Sequence, residues 1–433
     1  MISLNPNTHT NTHPESWYAA TINNDTAYPE LTEHITVDVC VIGGGFSGVN
    51  TALELVERGY SVALLEAFKV GWGASGRNGG QLIRGIGHGL DQFKSKIGQE
   101  GIDAIDRMGW EAVEIVKKRV AKYNIDCDLT WGYCDLANTS QHMKDLEAEY
   151  KHLKSMGYPH ELEMVAKNDL GKVVGSDAYL GGMIDMGSGH LHPLNLVLGE
   201  ATAAASLGVQ IFENSEVINI QQGKPVVVKT RQGQVTADSL VICGNAYVGD
   251  LNKKLGGKIL PAGSYIIATE PLSDDMAKKV LPQNMAVCDQ KLALDYYRLS
   301  RDNRLLFGGL CNYSGRDPVS IAGALKPHLD KVFPDLKDLK IEYEWGGMIG
   351  IGANRLPQFG RLQHNIYYAQ AYSGHGVNAT HMGAKLIAES IHNESDRIHV
   401  FEKVSHITFP GGKHLRSPLL AAGMLYARLK ELL

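Results

Sequence analysis

Thr36-Val37-Asp38-Val39-Cys40-Val41-Ile42 leads into Gly43-Gly44-Gly45-Phe46-Ser47-Gly48, then into Val49-Asn50-Thr51-Ala52-Leu53-Glu54-Leu55-Val56-Glu57-Arg58. After Gly59 the chain continues as Ser61-Val62-Ala63-Leu64-Leu65-Glu66. The first run is short, apolar and rich in β-branched residues, as a parallel strand buried on both faces should be. The stretch to Arg58 has helical spacing and Gly59 stops it; a second strand then ends at Glu66. Strand, glycine turn, helix and strand within about thirty residues make the βαβ unit of a nucleotide-binding sheet.

Each glycine has a task in that unit. Gly43 permits the tight turn, Gly45 lets backbone approach a pyrophosphate, and Gly48 allows close packing of helix on sheet. The phosphates then sit on exposed N–H groups at the positive end of the 48–58 helix. Glu66 follows Gly48 by eighteen residues. There its carboxylate can accept from a ribose diol, and it would repel a 2′-phosphate, which disfavours NADP. The fingerprint leaves NAD and FAD both open. The next segment, Gly71-Trp72-Gly73-Ala74-Ser75-Gly76-Arg77-Asn78-Gly79-Gly80-Gln81, can follow a longer cofactor and offer N–H groups first to phosphates and then to a flat ring.

Glycine is locally enriched: of 48 in 433 residues, thirteen lie between Gly43 and Gly89, which points to backbone in close approach to a ligand. Downstream, 91 to about 150 reads as helical and charged. From Val209 the pattern becomes β, and 260–309 is mixed. Asn365 to His392 repeats the strand, glycine turn and helix order. Two domains of interleaved segments fit this order: 36–92, 185–250 and 350–433 for a nucleotide-binding domain, 93–184 and 251–349 for a substrate domain, and 1–35 as an N-terminal extension.

The 47 acids and 42 Lys and Arg leave a net charge of -5, which argues against nucleic acid or an anionic membrane as a partner. The six cysteines are scattered without C-x-x-C or zinc-site spacing, so buried thiols in a reducing compartment are expected and no metal. No apolar run is long enough to span a membrane and the polar start shows no secretory signal; the cytoplasm is the expected compartment.

The motifs VCVIGGGFSGVNTALEL, LLEA and GWGASGRNGGQ resemble the D-amino-acid-oxidase and sarcosine-oxidase class of FAD enzymes. So do SWYAAT near the N-terminus, SGHLHPLNL (188–196), CGNAYVGD, LDYYRLSRDNRLLFGG, RLPQFGRL, YSGHGV and FPGG, in that order over nearly the whole chain. Within the class the motifs are most similar to the branch that oxidises gamma-glutamylputrescine. The resemblance implies an α/β fold in which a Rossmann-like FAD-binding domain is interleaved with an antiparallel-sheet substrate domain. It also implies a small-molecule amine as substrate and dioxygen as electron acceptor; a secondary amine or N-methyl amino acid as substrate, and a flavoprotein dehydrogenase or a flavin-binding protein without oxidase turnover, stay open.

Carried over onto matching positions, Gly43, Gly45, Phe46, Ser47, Gly48, Glu66 and Ala67 belong to the ADP half of the FAD site. Ser75, Asn78, Gly79, Gly80 and Gln81 belong to the loop running past the ribityl chain to the ring. Val217 matches a position whose backbone reads the adenine, and Gly244 and Asn245 a second approach to the ADP moiety. Gly374, His375, Gly376 and Val377 match the turn that delivers a helix N-terminus to the pyrimidine side of the flavin. That helix end has an independent rationale, because N–H groups there stabilise negative charge developing on the ring.

The cofactor carries the electronic burden, so the protein need only bind, orient and tune, and no strong base is expected. His375 is the candidate for proton handling, or it contributes only its backbone. Tyr297 is the second candidate, on a strand where alternate side chains face the cavity: Tyr297 inward with Arg298 outward is one reading, core packing of Tyr296 and Tyr297 the other. Trp72 and Trp345 either wall the site or fill the core. Arg84 either meets a substrate carboxylate or is exposed. Sarcosine oxidases carry a flavin-bonding cysteine just before the segment matching Asn354-Arg355-Leu356-Pro357. Here Trp345 to Ile351 contains none, so non-covalent FAD is expected.

Overall fold

The computed structural model describes residues 12–291, 294–312 and 318–410. The start of the N-terminal extension, Gly411-Gly412 of the FPGG motif and the end of the 350–433 segment lie outside the described residues. The opening motif folds as β1 (His34–Ile42), α1 (Phe46–Val56) and β2 (Val62–Leu65). β1 and β2 pair in parallel, with Val39 opposite Val62 and Ile42 opposite Leu65. On its other edge β1 pairs in parallel with Gln234–Ile242, which pairs in turn with Ile366–Gln370. Strand order therefore reverses at β1. The carboxyl ends of Ile42 and Ile242 flank the crevice where ligands bind in such sheets.

Alternate residues of this sheet go to opposite faces. Val39, Val41, Val62 and Leu64 pack beneath the helices, while Cys40, Ile42, Ala63 and Leu65 pack on the side carrying the hairpin strands Asn219–Gln221 and Val226–Lys229. Burial of both faces is the reason these strands read as unbroken apolar runs. The glycines behave as the motif requires. Gly43 has φ +107°, and a Cβ on Gly48 would stand 1.8 Å from the Gly43 carbonyl oxygen, so helix and turn meet without room for a methyl group.

The long helix α2 (Lys94–Lys122) buries Ile105, Met108, Ala112, Val113 and Val116. Its Arg119 pairs with Glu54 of α1 and donates to Asn50. Its Glu111 pairs at 2.7 Å with Lys385 of α3 (Val377–Ile391). Residues 94–122 thus pack on the helices that cover the first sheet, a difference from the 93–184 assignment to the substrate unit. The apolar stripe is visible in the sequence, but nothing in its spacing says which sheet it will cover.

The second sheet runs Ile341–Ile351, Leu260–Thr269, Leu305–Asn312, Tyr296–Leu299, Ala286–Asp289, Thr130–Ala137, Gly181–His190 and Gln81–Leu82. Neighbours are antiparallel except Ala286–Asp289 with Thr130–Ala137, which are parallel. Gly181–His190 lies wholly in this sheet, so the chain returns to the first sheet after His190, not at residue 185. One face packs on helix Ile321–Val332 through Leu325 and Leu329; the other roofs the crevice. No described helix is long and apolar enough to cross a membrane.

Candidate active site

Between the first sheet's carboxyl edge and the second sheet lies a cavity of about 2450 Å³. Ordinary ligand pockets hold roughly 300–1,000 Å³, so there is room for a long cofactor with a substrate beside it. Gly43, Gly45, Phe46, Ser47, Glu66 and Ala67 line its floor. α1 starts there with Gly45 as its N-cap and no side chain from that residue to cap it. Ser75 accepts from the Phe46 N–H at 2.9 Å, tying the second glycine loop to the helix start. Gly48 sits behind this surface, packed on Gly43.

The Glu66 carboxylate accepts from the N–H of Gly44 at 2.5 Å and of Phe68 at 2.9 Å. Burial pushes its pKa up and these backbone bonds oppose the shift. Val217, Gly244 and Asn245 line the same end. Asn245 is in the left-handed region at φ 43° and accepts from the Ala371 N–H at 2.9 Å.

The glycine loop is held by its own polar groups. Asn78 donates to the carbonyls of Ala74 and Ser75 and accepts from the Gly80 N–H. Arg298 donates to the Gly79 carbonyl at 2.8 Å and Trp345 to the Arg77 carbonyl at 3.0 Å. Behind Arg298, the hydroxyl of Tyr18, from the N-terminal helix Trp17–Ala20, accepts at 3.1 Å. Ser75, Asn78, Gly79 and Gln81 line the cavity; Gly80 stands behind it, where a Cβ would strike the Leu191 carbonyl oxygen. At the opposite wall Gly374, His375, Gly376 and Val377 bring up the start of α3, again with no capping side chain on Gly376. Its first turns are anchored by Asn378 to the Gly85 carbonyl and by a buried His381–Glu200 contact at 2.7 Å.

Of Tyr296 and Tyr297, Tyr296 faces the cavity. Tyr297 points the other way, stacked on Phe307, and its hydroxyl bonds Tyr179 in the core. The reading of Tyr297 as an inward catalytic residue is therefore corrected. The strand alternates as expected, but its phase puts 296 and 298 on the cavity side and 297 behind. Tyr297→Phe should lower stability by about 1 kcal/mol, the worth of one hydrogen bond, and leave kcat unchanged; thermal unfolding and steady-state rates check both.

Trp72 lines the cavity, stacked on Phe68, whereas Trp345 is buried and backs the glycine loop. Arg84 is not exposed. Only 5% of its side chain is accessible, and its two terminal nitrogens pair with Asp185 at 2.7 Å and Glu149 at 2.6 Å. His375 lines the cavity, with its Nε2 3.2 Å from the Arg84 carbonyl, so that nitrogen is a donor. Burial lowers the His375 pKa and takes that of neighbouring His88 down to about 3, which keeps both rings neutral near pH 7. Tyr133 and Asp135, on a strand with a Trp131-x-Tyr133-x-Asp135 alternation, also line the roof; sequence reasoning passed over them, although that alternation marks one face.

Comparisons with known proteins agree with this architecture. Residues 38–390 match the family model described as FAD dependent oxidoreductase. The chain is 42% identical to the gamma-glutamylputrescine oxidoreductase of Escherichia coli over 97% of its own length and 98% of that protein's. It is also 42% identical to a probable oxidoreductase of Haemophilus influenzae, over 97% of each chain. Among solved structures it superposes on glycine oxidase from Geobacillus kaustophilus with a TM-score of 0.70 at 20% identity, covering 84% of this chain and 96% of that one. A parallel-stranded sheet with glycine N-caps at its crevice, roofed by a second sheet, is thus joined to a family match across most of its length: the chain belongs to the FAD dependent oxidoreductase family.

Proposed function

We propose that this flavoenzyme oxidises the primary amine of gamma-glutamylputrescine to the aldehyde, with release of ammonia and hydrogen peroxide. The similarity along the full length to the Escherichia coli gamma-glutamylputrescine oxidoreductase carries this reading. The pairing of Arg84 supports it: with both terminal nitrogens on Asp185 and Glu149, that guanidinium is not offered to a carboxylate beside the reacting carbon. The bookkeeping of atoms is simple. The amine carbon loses two electrons, dioxygen finally takes the pair as hydrogen peroxide, and water cleaves the C=N bond to aldehyde and ammonia.

When bound, FAD supplies the two-electron acceptor. In this reading Gly43, Gly45, Phe46, Ser47, Glu66, Ala67, Val217, Gly244 and Asn245 hold its ADP half, while Ser75, Asn78, Gly79 and Gln81 follow it towards the ring. Gly48 and Gly80 act from behind, by keeping the backbone close. Gly374 to Val377 set the positive end of α3 against the charge that develops during oxidation. Tyr296, Cys288 and Ile83 give the roof an apolar stretch that favours the neutral amine, and neutral His375 positions the turn through the Arg84 carbonyl. Peroxide release on aeration with gamma-glutamylputrescine tests the proposal, and its absence would defeat it. A second reading, oxidation of an N-methyl amino acid, is favoured by Arg355, which lines the cavity with no ion pair among the described residues. Faster peroxide release from sarcosine would establish that one.

Non-covalent attachment is part of the same proposal. Three thiols line the cavity, those of Cys243, Cys288 and Cys311. Burial pushes Cys243 up to about 12 and Cys288 well above its ordinary value, so neither is a ready thiolate. Acid precipitation of the yellow protein should leave all the flavin in the supernatant. Colour in the pellet would demonstrate a covalent link.

A further inference from the structure

Around Arg84 the cavity roof carries more negative charge than the guanidinium can balance. Asp185 and Glu149 take its two terminal nitrogens. Lys291, the next cation along the roof, is engaged by Asp289 and Asp295. Asp135 is left without a Lys or Arg partner among the described residues, although it lines the cavity. Its Oδ1 is held at 2.9 Å by the Tyr133 hydroxyl and at 2.9 Å by the Gln290 side-chain amide, and no described hydrogen bond reaches Oδ2. The carboxylate is therefore fixed in direction by two donors on one oxygen, with the other oxygen open.

Its distance from the reacting end follows from the sheet. Asp135 stands opposite Cys288, and Cys288 opposite Tyr296, whose ring abuts Gly79 of the glycine loop. Two strand spacings separate Asp135 from Tyr296, about 10 Å. A substrate with its reacting amine beside Tyr296 must therefore be a long one to reach Asp135. Burial and the charge of Glu149 raise the pKa of the Asp135 carboxyl, partly opposed by Arg84, and a bound ammonium would draw it back towards the ionised form.

We propose that Asp135, oriented by Tyr133 and Gln290, binds the distal ammonium of the substrate's glutamyl head and so selects a long amine bearing a second positive charge. This rests on the gamma-glutamylputrescine reading above. It assigns to Asp135 a role in discrimination, remote from the carbon that is oxidised. A substrate with a methylene in place of the ammonium-bearing carbon would leave Oδ2 unpaired.

The test compares gamma-glutamylputrescine with N-glutarylputrescine, which keeps the reacting amine, the amide and the terminal carboxylate but lacks the distal ammonium. The flavin-loaded enzyme should prefer the glutamyl compound in kcat/KM by at least about tenfold, the lower end of what a charge-assisted contact provides. Asp135→Asn keeps an acceptor for Tyr133 and Gln290 and should abolish most of that preference through KM, with the flavin absorbance spectrum confirming the fold. Gln290→Leu, at an exposed position, should shrink the preference in the same direction but less. An equal ratio in wild type and both variants would overturn the assignment while leaving the oxidase reading intact. So would equal loss on both substrates in Asp135→Asn. A wild-type enzyme that releases peroxide from neither compound would overturn the functional reading and this inference with it.

Discussion

Replacing Glu66 by alanine is expected to weaken FAD binding about ten- to more than a hundred-fold, because charge-assisted hydrogen bonds to the ribose are worth roughly 1.5–3 kcal/mol. The carboxylate stands at the end of β2 and is already oriented by the N–H groups of Gly44 and Phe68, so little ordering remains to be done when a diol arrives. The substitution also strands those two N–H groups, and a lower Tm of the flavin-free protein should accompany the loss. Glu66→Gln retains an acceptor without the charge and should fall between the two. Quenching of flavin fluorescence on titration with apoprotein measures all three. An unchanged Kd in Glu66→Ala would remove Glu66 from the cofactor site.

For the substrate, kcat/KM for gamma-glutamylputrescine should exceed that for free putrescine by at least about a hundred-fold. In the proposed reading both compounds would bring the same primary amine to Tyr296 and its apolar neighbours, so the oxidised end alone would give no discrimination. The difference lies in the rest of the molecule. A site arranged for an amide and a distal amino-acid head leaves buried polar groups unpaired when the short diamine binds, and unpaired groups cost more than lost contact area. Steady-state peroxide assays on the two amines decide the matter. Comparable values would dismiss recognition of the glutamyl group.

The βαβ start was legible because everything it needs is local: the strand pattern, the glycine turn and Glu66 lie within one short segment, and each residue's task is fixed by its neighbours in sequence. The α3 turn was legible for the same reason. What could not be read depended on partners far away. Tyr296 and Tyr297 differ only in strand phase, which is set by pairing with Cys288 and Val287 rather than by anything between residues 294 and 299. Arg84 resembles any exposed arginine until Asp185 and Glu149, from a strand and a helix a long way down the chain, close on it. The helix α2 shows its apolar stripe plainly, yet its docking on α1 rests on Arg119 meeting Asn50 and Glu54. The position of Asp135 on the roof follows from parallel pairing with residues 286–289, a non-local choice.

The glycine loop 71–81 is fastened by Arg298 and Trp345, and the opposite wall of the cavity is the start of a helix at Val377. A ribosome delivers these parts far apart in time. At about 5–20 residues per second, the wall emerges some tens of seconds after the Gly43 turn. Through that interval the nascent chain has the glycine turn but not the opposite wall of the cavity. A ligand held between both walls must therefore wait for the helix start at Val377, which emerges late in synthesis.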